Sequence, residues 1–344
     1  MKRISRRDFL KLSALGVGTM AFSSNKGAFD LFDDRMLVRV ATDAVSVHSQ
    51  PDDESRIVAQ WYRDDLLTVY EVVEAKTPAY NPVWYRVWGG FVHRARLQRV
   101  QTLYNPIKTD LEEGERYLAE ITVPYSRAMR YTKFYGWEPL YRLYYGSVHW
   151  VDEIGEGPNG QLWYQIFDEL ASVPYHVPAE HLRMIPPESL KPISPEVDFL
   201  DKRVEVDLTM QTVRAYEYEK VVLETKVSTG LPQGNPDGIG LNTPTGRFNI
   251  REKMPSKHMG DGSLASSIDA YELPGVPWTC FFTEAGHAFH GTYWHENYGV
   301  PMSHGCVNMR TEEAKWLFRW LRPVHDGPQL YRRGFGTQVD IFYS

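Results

Sequence analysis

The residues most suited to chemistry are concentrated in residues 287–310. This segment holds one of the two cysteines, Cys306, and four of the eleven histidines: His287, His290, His295 and His304. A cysteine thiolate is a strong nucleophile when a base or a positive neighbour assists ionisation of the thiol. The run Ser303-His304-Gly305-Cys306 also puts a glycine directly before the cysteine, where backbone N–H groups can approach a substrate carbonyl. The pattern predicts acyl transfer through a cysteine.

The paired motifs His290-Gly291-Thr292 and Ser303-His304-Gly305-Cys306 resemble the signature of the L,D-transpeptidase (YkuD-like) family. Members of this family are cysteine acyltransferases of bacterial peptidoglycan. The resemblance implies that Cys306 is the acylated nucleophile and His290 the general base. It implies that Ser303 and His304 shape the pocket and orient that base, and that the N–H groups of Gly305 and Cys306 form the oxyanion site.

Other residues are expected on the substrate side of the site. They are Gly291, Thr292, Tyr293, Asn308, Arg310, His258 and Met259. Many family members carry arginine two residues after the cysteine, whereas this chain has Asn308 there, followed by Arg310. Which of the two contacts the substrate stays open. Residues 253–269 are polar and glycine-bearing, as in the family's mobile flap, and would bring His258 and Met259 to the substrate channel.

The resemblance implies a peptidoglycan L,D-transpeptidase that needs no metal or organic cofactor. Its partner would be a tetrapeptide stem, acylated onto Cys306 and passed to an amine to give a 3-3 cross-link. Transfer to water would instead make an L,D-carboxypeptidase. Two alternatives come from other classes. One is a non-catalytic wall-binding protein; the other is a zinc site built from His290, His295, His304 and Cys306, although their spacing fits no common zinc motif.

Composition and charge limit the class of protein. The chain has 344 residues, 42% hydrophobic and 24% charged, which predicts a globular protein of two or three domains. A net charge of -6 gives no basic surface for nucleic acid, so we expect none as a partner. We expect a monomer. A bridge between Cys280 and Cys306 would silence the nucleophile, and the apolar surroundings of Cys280 favour a buried, inert thiol.

Residues 1–30 read as an export signal. Ser5-Arg6-Arg7-Asp8-Phe9-Leu10-Lys11 resembles a twin-arginine motif, and residues 12–22 form an apolar stretch that is too short to span a bilayer. We therefore expect export to the cell envelope, cell wall or periplasm. Contact with the membrane would come at most through an uncleaved signal.

The rest of the chain predicts a mainly β protein. Residues 36–103 contain short alternating strands that resemble a bacterial SH3-like domain, and residues 104–190 a second, degenerate copy, because Trp163-Tyr164 echoes Trp84-Tyr85. Such domains either bind wall peptides or act as spacers. A proline-rich linker then leads to a β-rich catalytic domain at 198–344. There we expect one helix at 311–321, a last strand at 338–342, and structural roles for Ser228-Thr229-Gly230 and Thr243-Pro244-Thr245-Gly246.

Overall fold

A computed structural model describes residues 36–171, 173–232, 241–260 and 272–344. The predicted signal and most of the predicted flap lie outside these ranges. Residues 36–344 belong to one compact unit. The expected mainly β class is confirmed, since the described ranges hold twenty-five strands in five sheets and a single α-helix. In the same ranges, every helix is too short or too polar to cross a bilayer.

The first part of the chain forms two small sheets. Its strands are β1 (Leu37–Val40), β2 (Ala44–His48), β3 (Ile57–Tyr62), β4 (Leu66–Thr68), β5 (Glu71–Glu74), β6 (Val83–Val87), β7 (Gly90–His93) and β8 (Leu97–Val100). One sheet has the order β4-β1-β8 and the other β3-β2-β7-β6-β5. Val38 and Val40 point inward and are fully buried, as their alternation with polar residues predicts.

The second part is one seven-stranded sheet of order β11-β10-β14-β13-β12-β9-β15. Its strands are β9 (Tyr117–Ile121), β10 (Tyr125–Thr132), β11 (Gly136–Tyr144), β12 (Val148–Glu156), β13 (Leu162–Phe167), β14 (Tyr175–Pro178) and β15 (Leu182–Met184). The hairpin β13–β14, a 3-10 turn and β15 paired with β9 repeat the hairpin β6–β7, a 3-10 turn and β8 paired with β1. This parallel agrees with the predicted repeat, while the SH3-like assignment stays a prediction.

The last part holds two five-stranded sheets and the helix. Its strands are β16 (Lys202–Asp207), β17 (Thr212–Glu217), β18 (Lys220–Lys226), β19 (Gly246–Asn249), β20 (Glu252–Met259), β21 (Leu273–Phe281), β22 (Ala288–Gly291), β23 (Val307–Met309), β24 (Arg332–Arg333) and β25 (Gln338–Phe342). The orders are β18-β17-β16-β25-β19 and β23-β22-β21-β20-β24. Helix α1 (Thr311–Trp320) packs on β21 and β22.

Helix α1 has the predicted apolar face. Ala314, Leu317, Phe318 and Leu321 are all buried. Arg310 occupies the N-cap position, with extended backbone and no side-chain cap bond.

The second and last parts share one interior, whereas the first part has a buried cluster of its own. Val148 and Trp150 of β12 belong to the same buried cluster as Trp278 and Phe318 of the last part. The proline-rich segment is also held in place, because the ammonium of Lys202 donates to the carbonyls of residues 193 and 194. The second part therefore forms one wall of the core that carries the candidate site.

One predicted loop is a strand. Residues 253–259 were expected to begin a polar flap, but they form most of β20, which pairs along β21. The polar sequence misleads because Lys253, Ser256 and His258 are buried with partners from other elements.

Candidate active site

Two parallel strands bring the predicted nucleophile and base together. β22 and β23 pair so that Phe289 lies opposite Val307 and His290 opposite Asn308. Cys306 precedes Asn308 by two residues. Cys306 therefore lies in the bend directly before β23, beside the strand that carries His290.

His290 is held in the tautomer that can act as a base through Nε2. Its ring is buried, and Nδ1 lies 3.0 Å from the carbonyl oxygen of Gly291. A carbonyl only accepts, so Nδ1 carries the proton and Nε2 keeps a lone pair. Burial lowers the pKa of His290 to about 4, which keeps it neutral at pH 7. The sequence assigned the orienting role to Ser303 and His304, whereas the contact at Nδ1 is made by Gly291.

Cys306 is a free, partly exposed thiol. Its sulfur lies 3.7 Å from the Gly286 carbonyl. Burial of the sulfur raises the pKa of Cys306 to about 11, although the backbone N–H of Ala288 acts in the opposite direction. The resting pair is therefore a neutral thiol and a neutral imidazole.

The second cysteine is also free. Cys280 is buried in β21, and burial raises the pKa of its thiol to about 12. No bridge joins it to Cys306, and the prediction of an inert buried thiol is confirmed.

The tight turn before Cys306 is braced by Ser303. The Ser303 hydroxyl donates to the carbonyl of Cys306 at 2.5 Å and accepts the N–H of Gly305 at 3.1 Å. The N–H of Gly305 was expected at the oxyanion site, but here it is already bound. Gly305 has φ +117°, a conformation that favours glycine. His304 is exposed on the same turn.

The two glycine-containing segments at residues 228–230 and 243–246 stabilise this turn. The Thr243 hydroxyl donates to the carbonyl of Gly305 and accepts the N–H of Gly230, both at 2.9 Å. A Cβ at Gly230 would lie 2.2 Å from the Leu241 carbonyl oxygen. Close backbone approach thus explains Gly230, whereas Gly246 has the positive φ, +128°, that the sequence suggested for both.

His287 is a neighbour of the site that the sequence did not single out. The Thr283 hydroxyl accepts the backbone N–H of His287 at 3.1 Å and lies 2.8 Å from Nδ1. The hydroxyl thus fixes both the backbone and the ring of His287. The ring edge abuts Gly305, where a Cβ would lie 2.7 Å from its Cδ2. A threonine four residues upstream was the only sequence signal.

Two predicted substrate residues, Tyr293 and Arg310, have partners within the protein. Tyr293 is buried, and its hydroxyl donates to the Pro274 carbonyl at 3.1 Å. Arg310 lies 3.4 Å from Glu313 and stacks on the ring of Tyr298. These two side chains hold neighbouring elements together.

Asn308 is fixed beside His295. The His295 Nδ1 accepts the N–H of Asn297, so Nε2 carries the ring proton. The amide end of Asn308 lies 3.0 Å from Nε2 and must present its oxygen to that proton. The side chain of Asn308 is therefore buried and bound to His295.

His258 does not face an open channel, contrary to the expectation. Its side chain is fully buried between Asp168, 2.8 Å from Nδ1, and Glu272, 2.6 Å from Nε2. Burial opposes the charge, yet the two carboxylates raise the pKa of His258. Met259 follows at the end of β20, half-buried and opposite Leu273.

The zinc alternative finds no ligand set in the described ranges. No group of three or more His, Cys, Asp or Glu side chains is arranged there to hold a metal ion. His290 and His295 are turned to the partners given above.

An open groove of about 1110 Å³ reaches the site at Gly286, whose carbonyl contacts the thiol. Three ion pairs belong to its lining: Arg251–Glu284, Arg333–Glu252 and Lys257–Glu169. Phenylalanine and tyrosine rings lie between them, including Phe282. The groove can therefore accept a ligand with both signs of charge.

Comparisons with known proteins show which proteins the last part of the chain resembles. Residues 201–341 match the family model for the L,D-transpeptidase catalytic domain, YkuD. No curated protein matches the chain. Among solved structures, a cysteine-to-serine variant of the Enterococcus faecium L,D-transpeptidase is 27% identical with a TM-score of 0.31, over 41% of this chain and 50% of that chain. The Stackebrandtia nassauensis L,D-transpeptidase is 28% identical with a TM-score of 0.28, over 41% and 55%.

The chain thus spans about half the length of those two proteins. The match to the family model covers the strands and turns that carry both predicted reacting residues. Residues 201–341 are therefore a YkuD-type L,D-transpeptidase catalytic domain.

Proposed function

We propose that the protein is a peptidoglycan L,D-transpeptidase in which Cys306 is the nucleophile and His290 the general base. The observation that carries the proposal is the Nε2 lone pair of His290, on the strand that pairs with β23, which Cys306 directly precedes. The expected twin-arginine signal would take the protein to the cell envelope, where its substrate is found.

The reaction is an acyl exchange on sulfur. Cys306 attacks the carbonyl of the third residue of a tetrapeptide stem, and the thiol proton passes to Nε2 of His290. The N–H of Cys306 stabilises the oxyanion. The C–N bond to D-Ala then breaks, and His290 returns the proton to the leaving amine. An amine of a second stem attacks the thioester, which gives the 3-3 cross-link and restores the thiol.

The neutral resting pair fits this order of events. With the Cys306 pKa near 11 and the His290 pKa near 4, the proton moves only as the sulfur attacks. The groove that ends at Gly286 is the proposed path for the stem, since a stem carries carboxylates as well as an amine.

Mass analysis of products from a defined tetrapeptide tests the proposal. The unaltered chain should release D-Ala and yield a cross-linked dimer, Cys306→Ala should yield neither, and Cys280→Ala should behave as the unaltered chain. A tripeptide without dimer would indicate an L,D-carboxypeptidase. Turnover by Cys306→Ala would overturn the mechanism, and absence of both turnover and a carbapenem adduct on Cys306 would favour a wall-binding protein.

A further inference from the structure

A second cleft, of about 640 Å³, lies where the three parts of the chain meet. Arg94 lines it from the first part, Glu120 from the second, and Thr292 and Lys315 from the catalytic part. Cys306, His290 and Gly286 are not among its lining residues. The cleft is therefore separate from the thiol and from the groove beside it.

The cleft has cations that lack carboxylate partners. Its charged residues are Arg94, Arg99, Arg183, Arg310, Lys315, Glu120, Glu296 and Glu312. Glu296 is occupied by Arg99, and Glu120 by Arg183. Arg94 donates to Asn81, a neutral group, and Lys315 lies 3.5 Å from the Ser189 hydroxyl. Within the described ranges neither Arg94 nor Lys315 has a carboxylate at ion-pair distance.

Burial makes these two cations good anion sites. Both side chains are half-buried, and this partial burial lowers the pKa of Arg94 and that of Lys315. A carboxylate bound between them would be screened less than on an exposed surface.

The same cleft contains donors without acceptors. Thr292 is only 6% exposed, and its hydroxyl has no hydrogen-bond partner in the part of the chain that the structure describes. Helix α1 begins at the cleft with Thr311, and no side chain of the described residues caps its first N–H groups. A buried hydroxyl and a free helix amino end both favour an acceptor with negative charge.

We propose that this cleft is a second ligand site, for an acidic peptide whose carboxylates outnumber its amines. The carboxylates of the peptide would bind Arg94 and Lys315, an acceptor of the peptide would pair with the Thr292 hydroxyl, and the exposed Glu312 would bind the amine. The volume suits a short peptide rather than a single small anion. The choice of peptide rests on the proposed function, because a peptidoglycan stem with a blocked amino end is such a peptide.

Calorimetric titration of thiol-blocked protein tests the site. Alkylation of Cys306 with iodoacetamide closes the reaction site without relying on its proposed activity. The probe is N-acetyl-L-alanyl-γ-D-glutamyl-L-lysyl-D-alanine, and the comparison is its doubly amidated form, which lacks both carboxylates and keeps the lysine amine. We expect saturable binding of the acid form, and at least tenfold weaker binding of the amide.

Two substitutions in the cleft should each weaken binding about tenfold. Lys315→Met removes the charge but keeps a chain that packs on Trp278, and Thr292→Val removes the hydroxyl without changing side-chain size. Thr292→Val should keep the melting temperature, since it deletes an unpaired buried group. The exposed Lys220→Met is the matched control and should bind like the unaltered chain.

Three outcomes would overturn the proposal: no binding to alkylated protein, binding that neither cleft variant weakens, or inorganic phosphate binding as tightly as the peptide. Each can occur while Cys306 still reacts with a carbapenem. A failure of the cleft proposal is thus distinguishable from a failure of the transpeptidase proposal.

Discussion

Burial fixes the charge state of both groups proposed to react. The pKa of His290 falls to about 4 and that of Cys306 rises to about 11 because water is removed from both. A preformed thiolate–imidazolium pair would need the opposite shifts. In such a site the base removes the thiol proton while the sulfur attacks the substrate, not before the attack.

The alkylation rate of Cys306 by iodoacetamide reports this charge state. Only the thiolate reacts, so the rate should rise about tenfold per pH unit from pH 6 to 9. Mass spectrometry of the modified peptide at each pH gives the rate. A plateau near neutral pH would show a preformed ion pair, and the buried Cys280 should stay unmodified throughout.

Gly305→Ala should damage the turn that presents the thiol. The positive φ of +117° costs an alanine about 1–3 kcal/mol, and its Cβ would also press on the ring of His287. We expect a lower free energy of unfolding in urea and a larger loss of turnover. Gly89→Ala is the control, because its φ is +89° with nothing within 4 Å. Equal effects of the two changes would refute the contact with His287.

At the scale of elements, one hydroxyl joins two segments to the catalytic turn. Thr243 links the end of the strand-like segment at Gly230 to the carbonyl of Gly305. The sequence marks both segments with turn-forming residues. It cannot show which hydroxyl joins them, because the bond depends on how the segments pack.

Thr243→Val should remove this link while keeping the side-chain shape. Leaving a buried N–H and carbonyl unpaired costs about 1–3 kcal/mol. We expect that loss in the free energy of unfolding, with slower acylation of Cys306. The exposed Thr209→Val, whose hydroxyl contacts the chain end, should change stability little. Unchanged stability of Thr243→Val would contradict the structural role of the bridge.

At the scale of the whole molecule, Arg39 joins the three parts. Its buried guanidinium pairs with Asp64 at 2.9 Å in the first part. It lies over the ring of Tyr144 in the second and donates to the Tyr293 carbonyl, 3.0 Å away, in the third. Tyr293 is three residues from His290, so this junction is close in sequence to the base.

Arg39→Met should lower the free energy of unfolding by about 1–3 kcal/mol, because buried Asp64 keeps only Arg142 as its partner and the Tyr293 carbonyl loses its donor. Arg63→Met is the control, since its pair with the exposed Asp43 contributes about 1 kcal/mol or less. Chemical denaturation followed by tryptophan fluorescence compares them. Similar losses for the two variants would show that Arg39 does not join the parts.

Local pattern determined much of this protein in advance. The pattern predicted the mainly β class and a helix that begins at residue 311, because burial on one side of an element follows its period. The last strand has the predicted bounds, 338–342. The two motifs singled out His290, which lies on β22, and Cys306, which directly precedes the paired strand β23.

Tertiary structure alone decided the charges and partners at the site. The pKa values of Cys306 and His290 depend on water excluded by elements remote in sequence, and the pKa of His258 is raised because Asp168 arrives from another part of the chain. Arg310 looked free to meet a substrate, yet Glu313 and Tyr298 hold it elsewhere. The periodicity of apolar residues in a sequence indicates which residues are buried. It does not indicate which side chains contact each other, because those contacts form only when distant segments pack.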